Sequence, residues 1–351
     1  MKIGIVGAGA IGGWLGVRLA RSGHAVSVLA RGDTLAALSD RAWRLEIGGE
    51  TLDVKVRASE RAEALGPQDV VFVTVKGPAL PALARTLTPL VGADTIVVPA
   101  MNGVPWWFLL GGGGELSTTP LASVDPDGAI TSAIPLDRVL GCVVHAAATL
   151  RGPGNVIHKA GNRLILGEPS GAASPRLDAV ADALIAAGFD VERSDRIRYD
   201  IWYKLWGNMT MNPISAITAA TCDKVLDDPL VAAFALRAMA EAQAIGARIG
   251  CAIPERGEDR NAVTRQLGAF KTSMLQDAEA GRPLEIDQLI AAPREIARML
   301  AMDTPNIDAL LGLTRLFAQT KDLYPRSSRA SADKAPTAPI ISTDEQLKNT
   351  E

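Results

Sequence analysis

The first half of the chain alternates short apolar runs with stretches in which apolar residues recur every three to four positions. The apolar runs predict strands over Lys2–Val6, Ala25–Ala30, Asp69–Val75 and Thr95–Val98. The periodic stretches predict helices near Ala10–Ser22 and Ala79–Leu87. Strands that alternate with helices pair in parallel, so this pattern predicts an α/β fold with a doubly wound sheet between helices.

Two further segments have the pattern of β-hairpins. Arg44–Val56 carries Gly48-Gly49 between two alternating runs, and Gly154–Gly167 carries Ala160-Gly161-Asn162 between two apolar triplets. A helix over Leu177–Ala187 and a short strand over residues 190–192 complete this half.

From about Ile197 onward the spacing is helical throughout. The predicted helices cover Ile201–Thr210, Pro213–Ala220, Pro229–Ile249, Pro283–Leu300 and Asn306–Ala318. We therefore expect an α/β domain over residues 1–194 and an all-helical domain over residues 195–325. The aperiodic stretch of Ser, Pro, Ala and Lys over residues 326–351 predicts a disordered tail.

Composition and charge exclude several classes of partner. The 351 residues carry 36 basic and 39 acidic side chains, a net charge of −3, which argues against binding to nucleic acid or to an anionic membrane. No run approaches 18 apolar residues, so we expect no membrane span. The three cysteines are far apart, which indicates a reducing, cytoplasmic location and no metal site.

A glycine motif follows the first predicted strand. Its six residues are Gly7, Ala8, Gly9, Ala10, Ile11 and Gly12. The first glycine of such a motif turns the chain, the second admits a pyrophosphate, and the third packs helix against strand. In a βαβ unit this spacing predicts a Rossmann-type dinucleotide-binding domain, and a purely structural turn is the lesser alternative.

Three residues at the ends of strands complete the predicted cofactor site. Arg31 follows the second strand, where an arginine favours the 2′-phosphate of NADP over NAD. Lys76 and Asn102 follow two further strands, at the edge where open α/β sheets bind ligands. The alternatives are a solvated lysine and an Asn-Gly turn.

The window over residues 200–214 combines polar side chains with an apolar surround. Lys204 and Asn208 are four residues apart, so they lie on one helical face, and we expect that face to line a cleft. A surface pair between Asp200 and Lys204 is the alternative for the lysine. Asn212 has the alternative of capping a helix that begins at Pro213.

A third cluster, over residues 271–287, stays ambiguous from periodicity alone. Ser273 precedes Asp277 by one helical turn, and Glu285 begins the predicted helix that runs to Leu300. Ser273 could cap a helix, and Glu285 could favour a helix N-terminus electrostatically.

Taken in order, these motifs resemble the 2-dehydropantoate 2-reductase (ketopantoate reductase) family over about residues 1–320. The matching segments are Gly7–Gly12, Lys76, Asn102-Gly103, Gly161-Asn162 with Gly167, Trp202 to Leu205, Asn208, Asn212-Pro213, Ser273-Met274, Asp277 and Glu285 to Asp287. The resemblance implies NADPH-dependent reduction of a 2-oxo acid to a 2-hydroxy acid in a cleft between the two domains. It implies that Lys204 is the general acid and Glu285 its catalytic partner. It also implies that Asn102, Asn208, Asn212 and Ser273 bind substrate or cofactor.

These residue types suit the reduction of a carbonyl group. Hydride transfer turns a carbonyl into a developing alkoxide, which needs a cation or a proton donor beside it. A lysine supplies both, and partial desolvation lowers its pKa from about 10.4 toward the working pH. A carboxylate at Glu285 would oppose that fall.

The sequence departs from the family pattern next to the expected substrate. Met101 stands where a polar residue is more usual, and Trp106-Trp107 with the glycine-rich stretch to Pro135 is longer than expected. We therefore expect a bulkier or more apolar 2-oxo acid than ketopantoate. Two other functions stay open: a different 2-hydroxy acid or opine-type dehydrogenase, and a protein that senses NADPH without turnover. The helical domain would also be the place where a homodimer forms.

Overall fold

The computed structural model describes residues 1–112, 114 and 116–325. The predicted disordered tail over residues 326–351 lies outside the described residues.

The first sheet has five parallel strands in the order β5-β2-β1-β6-β7. Their bounds are β1 Lys2–Val6, β2 Ala25–Leu29, β5 Arg57–Ser59, β6 Gln68–Val73 and β7 Val91–Pro99. The central strands are almost wholly apolar because both faces of the sheet are covered. The predicted doubly wound α/β sheet is confirmed; only β5, three residues long, was missed.

Helix α1 (Ala10–Arg21) lies on one face of this sheet and also contacts a second sheet. Its glycines allow this close packing: a Cβ on Gly13 would lie 2.4 Å from a Val156 methyl group, and one on Gly16 would lie 2.4 Å from the Trp43 ring. The other helices of this half are α2 Gly32–Asp40, α3 Ala62–Leu65, α4 Leu80–Ala84, α5 Ala129–Ala133 and α6 Pro175–Ala186.

The second sheet corrects one sequence prediction. It contains β3 (Trp43–Ile47) and β4 (Glu50–Val54), which form the predicted hairpin with Gly48-Gly49 as its turn. The segment over residues 154–167 was wrongly predicted as a hairpin. It is one strand, β9 (Asn155–Gly167), which pairs along its length with β8 (Gly141–Gly152), so the turn lies before Asn155. Gly161, at a φ of +74°, sits where the β8–β9 register shifts, because its missing side chain lets the backbone of residues 145–146 approach.

The second sheet ends at β10 (Asp190–Arg193), and the helical half begins at α7 (Ile197–Thr218). Its other helices are α8 Cys222–Asp227, α9 Pro229–Arg248, α10 Gly257–Arg265, α11 Ser273–Glu279, α12 Ala292–Met299 and α13 Pro305–Thr320. The division of the chain into domains at residues 194/195 stays a prediction.

Helix α7 was wrongly split in the sequence prediction. It runs without a break through Pro213, so Asn212 is an interior helical residue and no N-cap. The predicted helix over residues 283–300 is also shorter than expected. Its first turn, Asp287–Ala291, is π-helical and leads directly into α12, so Glu285 lies just before the helix begins.

Apolar side chains of α7 join the two halves. One buried cluster combines residues of β1, β6 and β7 with Trp202, Trp206 and the helices that surround α7. Among the described residues, α9 alone has the length and composition of a membrane-spanning helix. Its Glu241 accepts hydrogen bonds from the backbone of Asn306 and Ile307, and α9 packs on α7 and α13. That the chain has no membrane span stays a prediction.

Candidate active site

The glycine motif lies between the end of β1 and the start of α1. Gly7 has a φ of +98°, which a residue with a side chain rarely adopts, and a Cβ on Gly12 would lie 2.0 Å from the Gly7 carbonyl oxygen. A Cβ on Gly9, in contrast, would meet no atom within 4 Å. Gly7 and Gly12 therefore serve close packing, while Gly9 leaves the N-terminus of α1 open to an approaching anion.

Arg31 lies two residues beyond the end of β2, directly before α2, and is exposed. This is the same edge of the sheet as the glycine motif, because β1 and β2 are adjacent and parallel. No hydrogen bond or ion pair holds its side chain within the part of the chain that is described. The guanidinium is thus available to a ligand that extends past β2.

Lys204 points from α7 toward the ends of the sheet strands. Its ammonium donates a hydrogen bond of 2.9 Å to Asn102 Oδ1, just beyond β7, and one of 2.6 Å to the carbonyl oxygen of Val144 on β8. The alternative surface pair with Asp200 is not formed, since that carboxylate accepts from the Ser194 hydroxyl. Burial lowers the pKa of Lys204 to about 8, and the charge of Glu285 opposes this fall.

Glu285 is buried next to the same asparagine. Its carboxylate accepts a hydrogen bond from the Gly77 backbone N–H at 3.3 Å and a long one from Asn102 Nδ2 at 3.5 Å. Burial raises its pKa, while the Gly77 hydrogen bond and the nearby Lys76 oppose the rise. The carboxamide of Asn102 therefore joins Lys204 to Glu285.

Lys76 connects the two halves from the other side. Its ammonium forms a 2.5 Å ion pair with Asp277 on α11, which also accepts a 3.0 Å hydrogen bond from Arg282. Lys76 remains partly exposed, whereas Asp277 is buried. Asp277 thus holds the ammonium of Lys76 near Glu285, whose pKa this ammonium lowers.

The remaining predicted residues occupy different depths. Asn208 is half-buried one turn after Lys204. Asn212 is buried, and its Nδ2 has no hydrogen-bond partner among the described residues. Ser273 is exposed at the first position of α11, and the cap predicted for it is instead Thr272, whose hydroxyl accepts from the Leu275 N–H. The structure brings Lys204, Asn102 and Glu285 into contact, but it gives Ser273 no such contact.

Sequence reasoning missed the backbone groups that orient this cluster. The Val144 carbonyl and the Gly77 N–H are invisible in a residue pattern because any residue has them. It also missed Gln288, which packs on Gly77 and accepts the Val104 N–H through its carbonyl at 2.9 Å. Gln288 lies in the π-helical turn, which residue spacing did not reveal. Such turns are frequent at functional sites.

A cavity of about 20 Å³ lies against Lys204. Apolar side chains form much of its wall, including Met101, Trp107 and Leu205, and Cys142 lies beside them. Trp106 and Trp107 are both buried, and Trp107, from the segment after β7, lines this cavity together with Lys204. The space left is about that of one water molecule.

The family models match both halves of the chain. The model described as ketopantoate reductase PanE/ApbA matches residues 3–171, and the model of its C-terminal part matches residues 196–318. A curated 2-dehydropantoate 2-reductase from Mesorhizobium japonicum is 44% identical over 92% of this chain and 100% of its own length.

Solved structures show the same likeness. The crystal structure of a candidate ketopantoate reductase from Ralstonia solanacearum MolK2 is 59% identical, covers 92% of this chain and 99% of its own, and superposes with a TM-score of 0.89. A D-mandelate dehydrogenase solved with NADH and anilino(oxo)acetate shares the fold at a TM-score of 0.78 and 21% identity, over 92% of this chain and 100% of its own. By the match of both family models and these relatives, the chain belongs to the ketopantoate reductase family of oxidoreductases.

Proposed function

We propose that this protein reduces a 2-oxo acid of the ketopantoate type to the 2-hydroxy acid, with NADPH as reductant and Lys204 as general acid. The observation that carries the proposal is the hydrogen-bonded set of Lys204, Asn102 and Glu285, built from both halves of the chain. An ammonium of lowered pKa at such a junction has the properties of a proton donor.

The chain's own residues fit a dinucleotide. The open space at Gly9 lies at the N-terminus of α1, whose first N–H groups have no partner within the helix and attract phosphate. Gly7, Ala8, Gly9, Ala10, Ile11 and Gly12 would hold the pyrophosphate, with Lys76 and Asn102 at the neighbouring strand ends. When bound, the nicotinamide supplies the hydride.

NADPH is preferred over NADH because of Arg31. Its exposed guanidinium lies next to the strand end where the adenine ribose binds in this fold, and a guanidinium can bind a phosphate through two hydrogen bonds. The fold itself does not decide the cofactor, since the D-mandelate dehydrogenase of the same fold is solved with NADH.

Lys204 acts on the carbonyl oxygen of the substrate. Its ammonium stabilises the negative charge that develops on this oxygen and then donates a proton to it. Asn102 and the Val144 carbonyl hold the ammonium in place, and Glu285 keeps it charged by raising its pKa against the effect of burial. Proton release from Lys204 is therefore tuned to near-neutral pH.

Asn208 and Asn212 are proposed to bind the substrate. The Nδ2 group of Asn212 is buried without a partner in the described part of the chain, and leaving such a donor unsatisfied costs about 1–3 kcal/mol. A polar ligand that accepts this hydrogen bond would remove the cost. Ser273 is retained as a substrate contact on the strength of the resemblance alone.

An NADPH-oxidation assay tests the proposed function directly. Ketopantoate is the first substrate, since the Mesorhizobium relative is named 2-dehydropantoate 2-reductase. Branched and aromatic 2-oxo acids follow, because Met101 and Trp107 line the space at Lys204. Oxidation with one of these acids, and its loss in Lys204→Ala, is the expected result; no oxidation with any of them would overturn the proposal.

Two other functions are separated by the same assay. An opine-type dehydrogenase would need an amine together with the 2-oxo acid. A protein that only senses NADPH would bind it without oxidising it. A cytoplasmic location and a homodimer stay predictions.

A further inference from the structure

Pro293 lies at the junction between the π-helical turn and α12. It is the second residue of α12, so the helix runs directly from the turn, Asp287–Ala291, through the proline. A proline inside a helix has no N–H to donate, and its ring clashes with the carbonyl group four residues earlier, here that of Leu289. The turn before Pro293 therefore cannot be regular α-helix, which accounts for its wider, π-helical form.

The same geometry leaves the backbone carbonyl of Gln288 without a donor in its own helix. In an α-helix this carbonyl would accept from the Ala292 N–H, but that N–H binds the carbonyl of Asp287 instead. In a π-helix the donor would be residue 293, which is the proline. Because Gln288 is buried, its carbonyl needs a donor from outside the helix.

The donor that this carbonyl finds belongs to the other half of the chain. The Val104 N–H, two residues after Asn102, binds it at 2.9 Å. Gly103 lies between these two residues at a φ of +77°, and a Cβ there would be 2.5 Å from the Gln288 carbonyl oxygen. The missing side chain of Gly103 thus allows the approach. A backbone hydrogen bond therefore ties the π-helical turn to the segment that carries Asn102.

Gln288 also contacts the second group that binds Glu285. Its side chain is buried against Gly77, where a Cβ would lie 2.1 Å from its Cδ. The Glu285 carboxylate accepts from the Gly77 N–H at 3.3 Å and from Asn102 Nδ2 at 3.5 Å. Both distances are at the long end for a hydrogen bond, so a small displacement of the turn would break them.

We propose that Pro293 is a positioning residue for the site of Lys204. By leaving the Gln288 carbonyl to Val104, it keeps the turn that follows Glu285 against the segment of Asn102, the residue that binds the ammonium. The inference rests on the proposed function for its effect on catalysis. The contact itself does not depend on turnover, so the two can be tested separately.

Pro293→Ala restores the missing N–H and removes the clash. We expect the turn to become α-helical, with the Gln288 carbonyl bound by the Ala292 N–H. The Val104 amide then loses its acceptor, and hydrogen exchange measured by NMR should become faster there. The Ala100 amide, which binds a neighbouring strand of the sheet, should stay protected and so shows that the fold is retained. Unchanged exchange at Val104 would overturn the proposal.

A double-mutant cycle measures the effect on the ammonium without turnover. The pKa of Lys204 is followed by NMR of 13C-labelled lysine in the parent, Glu285→Gln, Pro293→Ala and the double variant. The charge of Glu285 raises this pKa, so Glu285→Gln lowers it in the parent. We expect a smaller difference between Glu and Gln in the Pro293→Ala background, because the carboxylate is no longer held beside Asn102. The same difference in both backgrounds would contradict the positioning role.

Kinetics extend the test to catalysis. Pro293→Ala should lower kcat by about 2- to 10-fold, the range for one neutral hydrogen bond, and leave KM for NADPH unchanged. Parental kcat in this variant would also count against the proposal. Absence of turnover in the parent would instead overturn the proposed function, and exchange and titration would then decide the present inference.

Pro229→Ala is the matched control. This exposed proline is the first residue of α9, a position where the helix needs no N–H. The control variant should keep the parental exchange at Val104, the parental titration of Lys204 and the parental kcat. Changes in Pro229→Ala equal to those in Pro293→Ala would mean that the effect is not specific to the π-helical turn.

Discussion

Lys204 donates a hydrogen bond to the side-chain oxygen of Asn102, a residue 102 positions earlier in the chain. Because a lysine can only donate, this bond fixes the orientation of the carboxamide, and the amide nitrogen turns to Glu285. Asn102 thus binds both charged groups and fixes the position of one relative to the other.

Removing the ammonium should remove the acid catalyst. We expect Lys204→Ala to lower kcat by about 100-fold or more, the usual scale for general acid catalysis, with NADPH binding retained. Steady-state kinetics and a fluorescence titration of NADPH measure the two effects. Lys224→Ala, on α8, is the matched control and should keep parental turnover. Equal kcat in Lys204→Ala and the parent would exclude the mechanism.

The pH dependence of kcat should report the pKa of Lys204. The protonated form is the active one and is lost as the pH rises through about 8, so kcat should fall above that pH. The charge of Glu285 raises this pKa, so Glu285→Gln should move the fall to lower pH. Asn102→Asp adds a negative charge and should move it to higher pH. Identical profiles for all three proteins would show that Lys204 is not the titrating group.

Arg31 should select between the two nicotinamide cofactors. We expect Arg31→Ala to raise KM for NADPH by about 10- to 100-fold, because it removes hydrogen bonds to a charged phosphate, and to change KM for NADH little. NADH is the internal control in the same preparation. A uniform loss for both cofactors would mean that Arg31 does not contact the 2′-phosphate.

Gly77 should not tolerate a side chain. A Cβ there would lie 2.1 Å from Gln288 Cδ, so Gly77→Ala must displace the buried side chain of Gln288, which packs on the residue whose N–H binds Glu285. We expect a loss of about 1–3 kcal/mol in the free energy of unfolding, together with lowered kcat. Gly92→Ala is the control, because its Cβ would meet neighbours at 3.5 Å, an ordinary contact. Urea unfolding and kinetics measure both; parental values for Gly77→Ala would contradict the structure.

Met101 should limit the size of the substrate. It lines the small cavity at Lys204 and is only half-buried, so Met101→Ala enlarges the space at modest cost in stability. We expect kcat/KM to rise for an aromatic 2-oxo acid relative to ketopantoate. An unchanged ratio would show that the substrate side chain binds elsewhere.

The sequence predicted those parts of the site that depend on local patterns. The glycine motif, the strand ends at Lys76 and Asn102, and the helical stripe of Lys204 and Asn208 all follow from spacing within a few residues. The glycine motif, Lys76 and Asn102 lie near one another because the carboxyl ends of parallel strands share one edge of the sheet.

What the sequence did not reveal depends on long-range pairing. The apolar triplets around Gly161 have the pattern of a hairpin, but β9 is continuous because β8, separated from it by a turn, offers a full-length partner. Pro213 has the pattern of a helix start, yet α7 continues through it because the helix is buried on both sides of the proline.

The bond from Lys204 to the Val144 carbonyl has a consequence for how this protein can diverge. A backbone carbonyl is present whatever side chain occupies position 144, so substitutions there leave the acceptor intact as long as β8 stays paired with β9. A side-chain substitution therefore leaves one of the two hydrogen-bond acceptors of Lys204 in place, whereas the other acceptor is lost when Asn102 is replaced. Related chains should therefore accept variation at position 144 far more readily than at position 102.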